Sequence, residues 1–505
     1  MNAVEFLLGQ APLARHADRT ALVCGEHSLS YGALATEVAR ASGALRSLGV
    51  APGDRILLLL SDSPEFAGAW LGAVHAGAVA IGLNTKLTEA DYRPMVEDSA
   101  ARLVIADDAL APAMGALAGE LAQSRRLMSA RSWAERLAQA APRAQPHPAR
   151  DEDPAFWLFS SGTTGRPKAI VHTHFNVRPS GQAQREVLGL GPGDRIFTTS
   201  KLFFAYALEN GLLGPLALGA TAILHPAWVD VHAVRAIVER HRPAALFSVP
   251  TFYRHLLGLP ADQMAPFKAV RHYVSAGERL PLSLYDAWRA ATGREIHTLY
   301  GMSETYCAAI VAPRGATGGQ RSGRPLSGVE TRLLDAEGRE VAADETGVLW
   351  IRHPALSPGY ANRPEGNREQ FRKGWFCTRD LFVRDIEGNF THQGRSDELV
   401  KVAGQWVQPG ELEEAVSALE AIAEAACVAA PDADGFERLA LFVAARGADA
   451  GAAVAAAERA CAEKLPRHKR PKWVLPVEAL PRTATGKVQR FKLRELLAQR
   501  YAAED

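Results

Sequence analysis

The sequence predicts an α/β protein. A large N-terminal domain of two βα-layered subdomains, with a small β-barrel-like subdomain, precedes a small α+β C-terminal domain. Three observations carry this. Strand-length apolar runs alternate with helix-length stretches of 3.6-residue periodicity, once over about 20–150 and again after His174. From about 320 to 394 the texture shifts to short strands and turns: GVETRLLD, GVLWIRH, LFVRD, NFTHQG. At 395 it shifts again, to a mixed unit of roughly 110 residues. The expected domains are therefore 1–395 and 396–505.

The first series opens with a strand pair, TALVCG and HSLSYG, turning at Gly25-Glu26. A helix over LATEVARASGALRSLG and a buried strand in APGDRILLLLSDS follow. Residues 66–83, FAGAWLGAVHAGAVAIGL, carry no charge and reach the length of a membrane span. Their glycines and His75 suit a buried helix that breaks near Gly77 into a short strand, so no membrane partner is expected. LTEADYRPMVEDS reads as a helix, RLVIAD as a strand, and 109–150 as a helical stretch with a Pro-rich connector. The second series runs from DRIFTTSKLFF through LENGLLGPLALGA, TAILHP, VDVHAVRAIVERH and ALFSVP to VRHYVSAGERLP, LSLYDAWRAAT and EIHTLYGMSET. Beyond 395, Pro409 lies just ahead of a helix rich in early Glu. ACVAAP, LALFVAA and KWVLPV are strands, and VQRFKLRELLAQR is a final amphipathic helix.

The chain has 505 residues, too many for one core. With 47% hydrophobic and 22% charged residues it has an ordinary globular composition. A net charge of +1 argues against nucleic acid as the main partner. The five scattered cysteines form no CxxC pair and fit reduced thiols of a cytoplasmic protein. MNAVEFLLGQAPLARHADR lacks the basic start and long apolar run of a signal peptide.

Four loops carry the chemistry. Between FWLF and AIVH lies SSGTTGRPK, where Ser160, Ser161, Thr163 and Thr164 offer hydroxyls and Lys168 a charge. Gly162 and Gly165 let backbone N–H groups converge on a phosphate. The spacing is not G-x-x-x-x-G-K-[ST], and the chain continues as a strand, so this is no Walker loop. YGMSET sets a ring at Tyr300 beside Glu304, a carboxylate suited to Mg²⁺, and the Thr305 hydroxyl. Asp380 in FCTRD suits a ribose diol, although such an Asp as readily caps a turn. PRTATGK presents Lys487 on a loop of the other domain, where it would complete a site only on closure.

Taken together, SSGTTGRPK, YGMSET, CTRD, GRSDELVKVAGQWVQP and PRTATGK, in this order, resemble the acyl-adenylating CoA ligases of the adenylate-forming superfamily. FWLFSSGTTGRPKAIVHTH, KLFFAYALENG and ATGKVQRFKLRE resemble its benzoate-CoA ligase branch. The resemblance implies an ATP-dependent ligase that joins a small aromatic or alicyclic carboxylate to AMP, then passes the acyl group to CoA. The alternatives are a short or branched aliphatic acid, or an adenylating enzyme that loads a carrier protein. It implies that Ser160, Ser161, Gly162, Thr163, Thr164, Gly165, Lys168 and Thr305 contact phosphates and that Glu304 holds Mg²⁺. Gly277, Glu278, Tyr300 and Gly301 would flank adenine, and Asp380 and Arg395 would hold the ribose. Lys487 would bridge the carboxylate and the α-phosphate. Asp397 matches the hinge of a mobile C-terminal domain, whose swing would bring Val402, Ala403 and Gly404 to the CoA tunnel. Phe204, Ala205, Tyr206, Leu299, Cys307 and Ala308 would line the acyl pocket. Leu299 stands where benzoate-type members carry glycine, and Cys307-Ala308 where they carry His-Ile, so the pocket is reshaped. Glu209 in ALEN is expected to face solvent, with a place near a polar substituent as the alternative. The resemblance also leaves room for a homodimer and for acetylation of Lys487.

Overall fold

The structure, a computed structural model, describes residues 1–160, 167–312, 321–402, 405–417, 419–432, 436–482 and 488–501. It divides into two compact units. The larger holds Met1–Arg332, Trp350–Thr378 and Arg384–Thr391; the smaller holds Leu333–Leu349, Arg379–Val383 and His392–Asp505. The chain passes from one to the other within the strands Glu330–Leu334, Thr346–Arg352, Trp375–Arg384 and Phe390–Arg395. These strands belong to a five-stranded sheet, where the sequence predicts a small β-barrel-like subdomain.

Two layered sheets build the larger unit. Among the described residues, one has nine strands in the order Arg324–Pro325, Ala308–Val311, Ile296–Gly301, His272–Ser275, Ala245–Ser248, Arg195–Thr198, Thr221–Leu224, Thr20–Cys24, His27–Ser30. The other has seven: Gly359–Tyr360, Lys168–Thr173, Pro154–Ser160, Val79–Gly82, Arg55–Leu59, Leu103–Ala106, Leu127–Ser129. The inner pairs are parallel, as a βα alternation requires.

The apolar stretch 66–83 shows how sequence sets these layers. Ser63 accepts a hydrogen bond from Phe66 N and Pro64 fixes the first turn, so a helix starts at Pro64 and runs to His75. Gly77 then takes φ +82°, which ends the helix, and Val79–Gly82 continues as a fully buried strand. Gly72 lets this helix press onto the helix Tyr31–Ser47; a Cβ there would come within 2.3 Å of the Ala41 Cβ. Twelve residues are too few to cross a bilayer, and no described helix is long and apolar enough to do so.

In the smaller unit, strands Ile422–Pro431, Glu437–Ala445 and Trp473–Val477 form a three-stranded sheet. Helices Pro409–Ser417 and Ala450–Lys464 cover one face through Leu412, Val416, Ala453 and Ala457. The helix Arg490–Tyr501 covers the other through Leu493 and Leu497. A hairpin, Val400–Val402 with Gln405–Val407, precedes them.

Candidate active site

Strand ends gather the predicted residues of the larger unit. In the nine-stranded sheet Phe247 pairs Thr198, Ser248 pairs Ser275, and Ser275 pairs Thr298. The carboxyl ends of four parallel strands therefore lie level. The segment with Phe204, Ala205 and Tyr206 follows the first, Gly277 and Glu278 follow the third, and Tyr300 and Gly301 end the fourth. A crevice outside such strand ends is where open α/β sheets bind ligands. Gly277 takes φ +86°, and exposed Glu278 accepts a hydrogen bond from Thr251 at 3.3 Å.

The second sheet carries the two strands that flank SSGTTGRPK. Ser160 pairs Lys168 at the facing ends of the antiparallel strands Pro154–Ser160 and Lys168–Thr173. Lys168 Nζ stands 5.1 Å above the Tyr360 ring, and the Tyr360 hydroxyl donates to Glu304 Oε1 at 2.7 Å. One tyrosine thus touches both the loop lysine and the YGMSET carboxylate. Gln370 Oε1 lies 3.1 Å from the same hydroxyl, and Ser357 N donates to Glu304 O at 2.8 Å. Behind Glu304, His172 Nε2 donates to Ser303 O at 2.8 Å, and its ring stacks on Phe156 at 4.7 Å. Burial pushes His172 down to about 4, so it is a neutral support. Thr305 is fully buried and its hydroxyl lies 3.0 Å from Cys307 O. Sequence alone does not single out Tyr360 or His172; the HTH end of AIVHTH and the SPGY segment carry no spacing that links them to YGMSET.

The predicted acyl-pocket residues fall into two adjoining apolar clusters. Ala205 packs against the one that includes Cys307, and Leu299 and Ala308 share the other with Tyr206. Phe204 precedes the helix Ala205–Leu208, its ring 4.3 Å from that of Phe203. The Tyr206 hydroxyl donates to Val274 O at 3.1 Å and lies 3.2 Å from Ser248 O. Glu209 departs from its solvent-facing expectation: only 3% of it is exposed. It starts a π-helical turn, Glu209–Leu213, every residue of which is buried, and Oε1 accepts from Gly181 N at 2.9 Å. Burial pushes its carboxyl up to about 7 against that hydrogen bond.

The model of the AMP-binding enzyme matches residues 10–361, and that of the AMP-binding enzyme C-terminal domain matches 411–487. The chain belongs to the AMP-binding enzyme family. It is 40% identical over 509 residues to a 3-hydroxybenzoate–CoA ligase of Aromatoleum sp. (strain CIB), covering 98% of this chain and 97% of that one. It is 37% identical to a benzoate–CoA ligase of Thauera aromatica, covering 98% and 95%. The crystal structure of the anthranilate CoA ligase AuaEII in complex with anthranoyl-AMP superposes with a TM-score of 0.91 at 32% identity, over 98% of this chain and 97% of that one. The chain is an acid–thiol ligase of the benzoate-CoA ligase branch.

In this AMP-binding enzyme the smaller unit groups three further predicted residues. The Arg395 guanidinium forks onto Asp397, with both contacts at 2.8 Å, and Nη1 stands 3.4 Å from Asp380. Burial raises the Asp397 carboxyl, but the Arg395 fork outweighs it and holds it low. Val402 is buried in the hairpin. Ser161, Gly162, Thr163, Thr164, Gly165, Ala403, Gly404 and Lys487 lie outside the described residues.

Proposed function

We propose that this enzyme activates a small aromatic carboxylate with ATP and transfers the acyl group to CoA. The observation that carries the adenylation half is the Lys168–Tyr360–Glu304 cluster: a cation and an oriented carboxylate share one ring beside the strand ends. The aromatic class rests on likeness to ligases of benzoate and 3-hydroxybenzoate and on the apolar surroundings of Ala205, Tyr206, Leu299, Cys307 and Ala308.

A carboxylate is a poor electrophile. Attack of its oxygen on the α-phosphorus of ATP forms the acyl-adenylate and expels pyrophosphate; the CoA thiolate then attacks the acyl carbon and AMP leaves. Lys168 and the loop 160–165 bind the departing phosphates, and the YGMSET segment orients Glu304 and Thr305 toward them. Glu304, half-buried and held by Tyr360, is a hard oxygen donor of the kind that suits Mg²⁺ carried in by phosphates. When bound, Mg²⁺ offsets the charge repulsion between carboxylate and triphosphate. Gly277, Glu278, Tyr300 and Gly301 receive adenine, and Asp380 with Arg395 the ribose. Lys487 steadies the reacting oxygens in the first step. Asp397 serves as the hinge between domains 1–395 and 396–505, and Val402–Gly404 line the CoA passage. Likeness of family alone supports a cytoplasmic enzyme, a homodimer and control by acetylation of Lys487.

A pyrophosphate-release assay over aromatic and aliphatic acids, with and without CoA, tests the reading. Acid-dependent release coupled to acyl-CoA is expected, greatest for aromatic acids. Release without any acyl-CoA would sink the ligase assignment. Lys487→Ala is expected to lose acid-dependent pyrophosphate release yet still turn supplied acyl-adenylate into thioester.

A further inference from the structure

The adenylation chemistry leaves one buried acid without a task. Glu209 stands four residues after Ala205 on a continuous helical run, so the two share a face, one turn apart. Ala205 packs against the core that holds Cys307, and the Cys307 thiol faces the Glu209 carboxyl together with the Tyr306 and Ser180 hydroxyls. Those two hydroxyls are bonded to each other. Gly181 N–H occupies Oε1, while Oε2 makes no well-formed hydrogen bond: the Tyr306, Ser180 and Cys307 donors stand beside the carboxyl without closing on that oxygen. A carboxyl that is only 3% exposed and has an idle oxygen is costly to keep, and the cost disappears when a donor arrives. The π-helical turn that Glu209 starts widens the backbone where its side chain leaves the helix.

We infer that Glu209 is a specificity-determining residue: its Oε2 receives a hydrogen-bond donor on the ring of the acid, so the enzyme selects a hydroxy- or amino-substituted benzoate over benzoate. The inference rests on the proposed function and names the substituent that this pocket takes. Ala205, one turn before Glu209, and Cys307, beside its carboxyl, both belong to the proposed acyl pocket. Benzoate itself would leave Oε2 unpaired. A methyl group at that ring position would fill the space and leave Oε2 equally unpaired.

Steady-state kinetics of the intact protein with ATP, Mg²⁺ and CoA decide it. The panel is benzoate and the 2-, 3- and 4-isomers of hydroxy-, amino- and methylbenzoate. At one ring position the donor-bearing acid is expected to exceed both its methyl counterpart and benzoate in kcat/KM by about a hundredfold or more. Glu209→Leu, which removes the acceptor, is expected to reduce that hydroxyl-to-methyl ratio about tenfold or more, with Glu209→Gln between. Equal use of methyl and hydroxyl acids by the wild type at every position overturns the inference even if the variants do not fold. So does a uniform loss across all acids in the variants. Absence of turnover of every benzoate by the wild type refutes the functional reading itself, and this inference with it.

Discussion

Glu304 gains its orientation from a residue that lies 56 positions along the chain and shares no motif with it. The Tyr360 hydroxyl fixes one carboxylate oxygen, and the ring beneath supports Lys168. Tyr360→Phe keeps the ring and removes the hydroxyl, so a half-buried carboxylate loses a partner worth about 1–3 kcal/mol. We expect kcat/KM for pyrophosphate release to fall about tenfold and the Mg²⁺ concentration for half-maximal rate to rise, both read by titrating Mg²⁺ at saturating ATP. An unchanged Mg²⁺ requirement would show that the hydroxyl does not orient the metal ligand. Residues on this scale divide by how they are encoded. Ser160, Lys168, Tyr300 and Glu304 stand in local runs whose composition already suggests phosphate chemistry. Tyr360, His172 and Glu209 owe their surroundings to long-range packing. Nothing next to Glu209 in ALEN announces that the helix around it is buried.

At the scale of elements, the segment that carries the predicted pocket residues is tied down at its start. Lys201 Nζ donates to His225 O at 2.7 Å and Ala227 O at 2.6 Å, and lies 3.7 Å from Asp62. Asp62, just past the strand Arg55–Leu59, also accepts from Leu202 N at 3.2 Å. Both side chains are buried. Burial pushes Asp62 up to about 6 and Lys201 down, so desolvation outweighs the pairing and the tether specifies position more than it stabilises. Removing one partner is another matter, because it strands a buried charge. Asp62→Ala is expected to cost about 3–5 kcal/mol, seen as a lower thermal midpoint, and to raise KM for the acid more than for ATP. Equal changes in the two KM values would place the tether outside acyl binding. Elements were the most legible level of this chain. The break at Gly77, the hairpin at Gly25 and the strand ends that carry the loops all follow from periodicity and turn residues. The π-helical turn did not, since the run ENGLL reads as ordinary helix until Gly214 and Pro215 pack against their neighbours.

At the scale of the larger unit, the buried titratable groups set a pH response that no single residue predicts. Burial pushes His75, His172, His174 and His353 each down to about 4, against an ordinary value of 6.5. Once unfolded, all four bind protons below about 6.5 that the folded unit refuses until about 4. That contribution to stability is present at neutral pH and is lost as pH falls through this window. Glu209 and Asp62 act in the opposite sense. Their folded carboxyls, raised to about 7 and about 6, hold protons that the unfolded chain has already released. These six groups alone leave a net of about two protons bound on unfolding near pH 5.5, roughly 2–3 kcal/mol per pH unit lost on acidification. His16, His225 and His241, also lowered by burial, add to that loss, and Glu37, raised by burial, opposes it. Urea midpoints of the larger unit at pH 7.5, 6.5 and 5.5 should therefore drop progressively, about these pH values being chosen to bracket the window. Glu209→Gln removes one of the opposing groups. Relative to wild type it should gain most at pH 8, by up to roughly 3 kcal/mol, and lose that gain towards pH 5, so its acid loss is the steeper. A difference between the two proteins that stays constant with pH would mean that Glu209 titrates alike in both states and is not held in the buried environment described above.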